Sequence, residues 1–373
     1  MKPKKRSILR RILTGLLLLI AIPVIVLNLT TNFFIRKTTD LDYSDWMLET
    51  LDGGRRVIDV AMLGAHDAMT SDISYFSKVD PLSAGSIQTG LVGALIKGFS
   101  VKQAKTQMSS TADLLARGVR YFDVRLTYNE AEEVWYTTHL YFSRPFSDDL
   151  AEIETFLADH PGEFVLIDIQ HVYGVAYDDE AGYAGIHGLI DASGLFDRAV
   201  RDDAGDALAD LTYDDVTLNK TRGGVIIFSK FTTDDPFVWD YGTSIRSAWA
   251  NTDDEDAAFA FLAAEADLID AGTALTGNQI SGYVGVDSRQ GIRVMQAVLT
   301  MQMSGSGILN GIGSWSLVAK ARGFNAALIE RAEFLSWLAS MPVVMVDYAD
   351  SNHLSFNDAL MERIVSFNQS TEI

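Results

Sequence analysis

The sequence predicts an α/β chain whose parallel strands alternate with helices around a barrel, preceded by one membrane-crossing helix. Three observations lead there. Short β-branched or aromatic runs alternate with longer amphipathic stretches over some 320 residues, a pattern that favours a parallel α/β architecture, either a barrel or a doubly wound sheet. No G-x-G-x-x-G or G-x-x-x-x-G-K-[ST] follows the first strand, so a nucleotide-binding sheet loses its usual support and the barrel is favoured. Ahead of all this lies a long apolar run without charge.

Taken in order, residues 1–11 form a basic tail with Lys2, Lys4, Lys5, Arg6, Arg10 and Arg11 and no acid. Ile12 to Ile35 are 24 residues without a charged side chain, long enough at about 1.5 Å per residue to cross a hydrocarbon core of about 30 Å. The basic flank orients the tail to the cytoplasm and exports the rest of the chain. A cleaved signal peptide would need a shorter apolar region and a small-x-small site, which Val26-Leu27-Asn28-Leu29-Thr30 does not offer. The expectation is a signal anchor over 12–35, a linker over 36–45, and a single folded unit over 46–373, extracellular on a single-pass cell-membrane protein. Without cysteine, a lipoprotein anchor is excluded.

Strands are expected over Val57–Leu63, Val119–Leu126, Trp135–Tyr141, Phe164–Gln170, Gly224–Ser229 and Pro342–Val346, bounded by turn residues. Helical patterns fall over Leu150–Leu157, Asp256–Ile269 and Ala326–Leu338.

Composition excludes several classes of function. The absence of cysteine removes thiol nucleophiles, thiolate metal sites and disulfides. The first 37 residues hold eight of the 30 Lys and Arg and none of the 50 Asp and Glu, leaving 22 bases against 50 acids beyond them, a net of −28. Such a field opposes nucleic acid, so no nucleic-acid partner is expected.

Polar residues gather at the C-terminal ends of the expected strands, where barrel chemistry takes place: His66 and Asp67, Asp123 and Arg125, His139, Asp168 and Gln170, Lys230, and Asp347. Residues two apart on a strand share a face, so Asp123 and Arg125 enter one pocket. Two histidines on different strands supply the pair that in-line phosphodiester cleavage requires, one to take the attacking proton and one to protonate the leaving oxygen. Arg125 offers a planar cation for phosphoryl oxygens. Each signal is common on its own; their joint placement carries the weight.

The sequence resembles the phosphatidylinositol-specific phospholipase C X-region barrels, of bacterial and X-domain-containing types. The matching residues are Met62-Leu63-Gly64-Ala65-His66-Asp67-Ala68-Met69-Thr70, Thr106-Gln107, the run Leu114 to Arg125, His139, Phe156 to Glu163 with the strand to His171, and Val344-Met345-Val346-Asp347-Tyr348. The resemblance spans roughly residues 46 to 360 and implies an irregular TIM-type barrel. It further implies His66 as general base on the inositol 2-hydroxyl with Asp347 orienting it, His139 as general acid with Asp67 beside it, Asp123 and Arg125 on the phosphate, and a cyclic inositol phosphate as first product. The implied partners are a membrane and a phospholipid substrate, phosphatidylinositol or a related phosphodiester.

Three positions depart from the family. Its Pro-Gly-Thr-His becomes Leu63-Gly64-Ala65-His66, and the glycine that usually follows the second histidine is Leu140. Calcium-dependent relatives place acids where this chain has Asp67, Asp123, Arg125 and Gln170; a guanidinium there repels a divalent ion, so neither metal nor other cofactor is expected. Lys230 is a candidate substrate-binding residue. His160, His171, His187 and His353 read as structural or exposed. Ile87–Phe99, with Leu91, Leu95 and Phe99 at helical spacing, and the Gly-rich Met301–Trp315 are candidates for touching lipid. Glycerophosphodiesterases share the barrel, but their His-Arg-Gly opening and Glu-x-Asp are absent. The alternative to an enzyme is a degenerate barrel that binds lipid or envelope.

Overall fold

Short apolar runs flanked by turns become strands, and ten strands form among the described residues, most of them buried on both faces. The computed structural model describes residues 10–12, 14, 15, 18, 41–84, 97, 98, 100–202, 207–272, 289–300, 317–351 and 356–370. The strands are β1 (Met62–Ala65), β2 (Val119–Asn129), β3 (Val134–His139), β4 (Tyr141–Pro145), β5 (Phe164–Tyr173), β6 (Gly224–Ser229), β7 (Val238–Asp240), β8 (Ile245–Ala248), β9 (Ile292–Ala297) and β10 (Val343–Val346). Eight of them pair in parallel in the order β7-β6-β5-β2-β1-β10-β9-β8. β7 and β8 end this path, so among the described residues the barrel is open between them. β3 and β4 form an antiparallel extension of β2. A parallel arrangement puts the C-terminal ends of all eight strands on one rim.

Helices cover the outer face through apolar stripes. In Phe146–Asp159, Phe146, Leu150, Ile153 and Leu157 recur at three- and four-residue spacing and are buried. Thr111–Ala116 begins at Ser110, whose side chain accepts the Asp113 N–H at 3.1 Å.

Several expectations needed correction. The run from Val57 splits into a 3₁₀ turn over Val57–Asp59 and a strand of only Met62–Ala65, because Val57 N–H is taken by Leu211 O at 2.9 Å instead of by the sheet. The helix expected over Ala326–Leu338 is two, Leu317–Glu330 and Phe334–Ser340. Between them the Arg331 guanidinium turns onto the Phe259 ring, 3.9 Å from its centroid. The run Trp135–Tyr141 ends at His139, and β4, β7, β8 and β9 were not expected. Arg246 and Arg293 interrupt the apolar pattern of β8 and β9, yet both are buried and paired, Arg246 with Glu265 at 2.7 Å and Arg293 with Asp59 at 3.0 Å.

The chain enters the barrel at the end opposite that rim. Tyr43 N–H bonds Ala116 O at 2.9 Å, just ahead of β2. The fully buried Arg120, at the start of β2, donates to Tyr43 O and Ser44 O at 3.1 and 2.8 Å and pairs with Glu163 at 2.7 Å. His160 Nδ1 lies 2.8 Å from Asp45 Oδ1, just ahead of β5. Of the expected anchor, only residues 12, 14, 15 and 18 are described, as helix; the remainder lies outside the described residues. No helix among the described residues is long and apolar enough to cross a membrane.

Candidate active site

β1 delivers His66 and Asp67 to the rim, β10 delivers Asp347, and β2 delivers Asp123 and Arg125. His66 Nδ1–H donates to Asp347 Oδ1 at 2.7 Å, which leaves Nε2 facing Asp67 Oδ2 at 3.6 Å and Asp123 Oδ2 at 4.0 Å. His139, at the end of β3, donates Nδ1–H to Ala104 O at 2.8 Å and sits 3.3 Å from Asp67 Oδ2, so its Nε2 is also left for chemistry. Asp67 is therefore common to both imidazoles, and its other oxygen carries the Arg125 Nε. Asp67 N–H in turn bonds Asp123 Oδ2 at 3.0 Å. All six expected catalytic residues thus share one mouth.

Backbone strain marks the same places. Asp67, Leu140 and Tyr348, at or beside the two histidines and Asp347, have φ of 38°, 63° and 54°. Leu140 adopts the left-handed turn that glycine takes without a Cβ clash. Such residues cost about 1 to 3 kcal/mol each and persist only where the surroundings fix them. Gln107 is one such fixture: its Nε2 donates to His66 O at 2.9 Å and Val346 O at 3.1 Å, while its Oε1 accepts Ala349 N–H at 3.0 Å. The Gln107 amide thereby ties the ends of β1 and β10 together.

Electrostatics separate the two imidazoles. Burial alone would depress His66, but the charges of Asp67, Asp347 and Asp123 outweigh it and push its pKa up to about 9. His139 is shifted below the ordinary histidine range by burial, with Arg125 and His66 adding to the effect against Asp67. Burial would raise Asp67, but Arg125 and both histidines hold it below the usual carboxylate range. Asp123 is raised by burial and by Asp67, against the charges of Arg125 and His66.

Lys230 stands at the exit of β6 with its Nζ 4.5 Å from the Tyr241 ring centroid. Burial lowers its pKa while Asp168 and Asp123 oppose the shift. Asp168 accepts the Tyr121 hydroxyl at 2.5 Å and is pushed up to about 8 by burial and by Asp123. Asp123 Oδ1 and Asp168 Oδ1 are buried without a hydrogen-bond partner among the described residues.

Among the remaining histidines, His160 pairs with Asp45, and His187 lies 3.0 Å from Asp235, away from the mouth. His353 lies outside the described residues, as do Leu91, Leu95, Phe99 and Trp315. His171 is in the mouth, contrary to its reading as structural or exposed. β5 skips one residue against β2, pairing Val124 with Ile169 but Arg125 with His171. Tyr173, also unread, accepts a hydrogen bond from Arg125. No local sequence signal announces that skip.

His66, Asp67 and Asp123 present ligand-type atoms within 4.8 Å of one another. They fit a divalent cation poorly, because Arg125 already occupies Asp67 and His66 Nδ1 is committed to Asp347.

No family model matches the chain. The PI-PLC X domain-containing protein 3 of Danio rerio is 28% identical over 238 residues, covering 61% of this chain and 70% of that protein. Its Homo sapiens counterpart is 28% identical over 237 residues, covering 60% and 70%. The variant-surface-glycoprotein phospholipase C of Trypanosoma brucei brucei is 34% identical over 140 residues, 35% of this chain and 39% of that protein. Among solved structures, the phosphatidylinositol-specific phospholipase C of Listeria monocytogenes superposes with a TM-score of 0.56 at 15% identity, covering 88% of this chain and 99% of that one. In sequence the chain is a relative of the PI-PLC X domain-containing proteins and the variant-surface-glycoprotein phospholipases C, built on the barrel fold of the bacterial phosphatidylinositol-specific phospholipases C.

Proposed function

We propose that the protein is a metal-independent phosphoric diester hydrolase that cleaves phosphatidylinositol-type lipids. The observation that carries this reading is the sharing of Asp67 by His66, His139 and Arg125, which puts two imidazoles and a cation around one space. His66 Nε2 takes the proton of an inositol hydroxyl, whose oxygen then bonds to phosphorus. His139 Nε2 gives its proton to the departing diacylglycerol oxygen as the phosphorus–oxygen bond breaks. Arg125 holds the phosphoryl oxygens, Asp123 fixes the Asp67 backbone beside it, and Lys230 meets the headgroup. The product is a cyclic inositol phosphate, opened by water in a second step with the two imidazoles exchanging roles.

The same proposal includes the N-terminal anchor over 12–35, supported by the uncharged run and its basic flank, with the barrel on the extracellular side. Incubating the purified chain with phosphatidylinositol and following phosphorus NMR tests the chemistry. A cyclic inositol phosphate signal is expected; intact lipid that nevertheless binds would point instead to a barrel that has kept binding and lost turnover.

A further inference from the structure

His171 is the third imidazole of the mouth, and its surroundings are built. Residues on parallel strands that pair in register point to the same side, so the skip in β5 turns His171 toward the side that Arg125 occupies. In an unbroken strand Gln170 would have held that place. The His171 ring lies edge-on to Tyr173, with centroids 4.3 Å apart, and Tyr173 holds the Arg125 guanidinium. Behind it, Tyr177 Oη is 3.1 Å from His171 Nδ1.

The direction of that last bond follows from its neighbours. The Val172 backbone bonds the Tyr177 oxygen in a way that favours the phenolate, as a donated N–H does. Tyr177 accepts from Val172 and still has its own proton to give to His171 Nδ1. With Nδ1 accepting that proton, the ring carries its own on Nε2. Burial, with Lys230 and Arg125 nearby, drives the His171 pKa down to about 4, so the ring is neutral at physiological pH. A neutral ring with two cations nearby and only half-buried is not explained by packing alone.

We propose that His171 reads the headgroup: its Nε2–H donates to a ring hydroxyl of the inositol while Arg125 holds the phosphate. This rests on the functional reading above and adds a specificity residue to it. A neutral donor suits a hydroxyl, whereas a ring phosphate would call for a further cation. Tyr177 is a positioning residue that acts through His171 by fixing its tautomer.

The test uses the full chain with soluble cyclic inositol phosphate as substrate and inositol 1-phosphate as a binding probe. His171→Ala should raise KM about threefold to tenfold, the range for one neutral hydrogen bond, with a smaller change in kcat. His171→Gln, which keeps an N–H near the Nε2 position, should recover part of the loss. Tyr177→Phe should shift KM in the same direction by less, and imidazole nitrogen NMR should show His171 losing its single tautomer. Calorimetry should show the same weakening for inositol 1-phosphate in His171→Ala. Unchanged KM and unchanged probe binding in a folded His171→Ala, beside an active wild type, would overturn the inference alone. A wild type that neither turns over nor binds the probe would overturn the functional reading with it.

Discussion

Asp347 Oδ1 lies 2.7 Å from His66 Nδ1, and this pair joins the last strand of the barrel to the first. Together with Asp67 and Asp123 it leaves the resting proton on His66, whose pKa is about 9, and not on His139. Turnover needs the reverse arrangement, so the productive form is a minority set by the gap between the two pKa values. The pH profile of kcat/KM should be bell-shaped, with its alkaline limb near pH 9. Removing a carboxylate that favours the imidazolium lowers the His66 pKa, so Asp347→Asn should move that limb to lower pH. A limb that stays in place would show that another group sets it. The raised pKa also stabilises the fold, fully below about pH 6.5 and progressively less as pH rises through 9. The difference in urea midpoint between wild type and Asp347→Asn should therefore shrink above pH 9.

Because acid and base stand on separate strands, His66→Ala and His139→Ala should each reduce kcat by about 10²-fold or more on phosphatidylinositol. His187→Ala should stay near wild type, since its partner Asp235 lies away from the mouth. Wild-type activity in His66→Ala would end the proposed mechanism.

Arg125 sits where a divalent ion would have to bind Asp67. Chelators should leave turnover unchanged, and Arg125→Ala should raise the barrier by about 2.7 kcal/mol or more, as for a lost transition-state donor. Loss of activity in EDTA with recovery on adding calcium would contradict this.

Arg120 and Glu163 are both fully buried, and Arg120 also binds four backbone carbonyls. Glu163→Ala strips the guanidinium of its counter-charge and should destabilise the fold by about 3 to 5 kcal/mol in urea unfolding. A shift well below 1 kcal/mol would mean that water or a nearby acid replaces Glu163.

How far the sequence revealed this site depends on what kind of feature positions each residue. Asp123 and Arg125 were legible because strand periodicity alone puts them on one face. His66, His139 and Asp347 were legible as polar residues closing apolar runs. Asp67 as the shared hub was not, since it turns inward through a left-handed backbone that no pattern specifies. His171 stayed hidden because the skip that aims it arises from pairing between strands. β8 and β9 were missed for a related reason: Arg246 and Arg293 look like surface charges until their distant partners Glu265 and Asp59 are known.

The entry of the chain beneath β2 and β5 gives the molecule a polarity. Tyr43, Ser44 and Asp45 are fastened to Arg120, Ala116 and His160 at the barrel floor, so a membrane helix ahead of them would hold the barrel from below. Arg36 to Asp45 reach at most about 35 Å when fully extended, while a globule of this size is about 50 Å across. A barrel so mounted faces away from the bilayer that carries it. Full chain reconstituted in one vesicle population should then cleave phosphatidylinositol in a second population faster than in its own. A long flexible insertion between Lys37 and Thr38 should erase the preference. Such a protein would work outward, on surfaces that come to meet it.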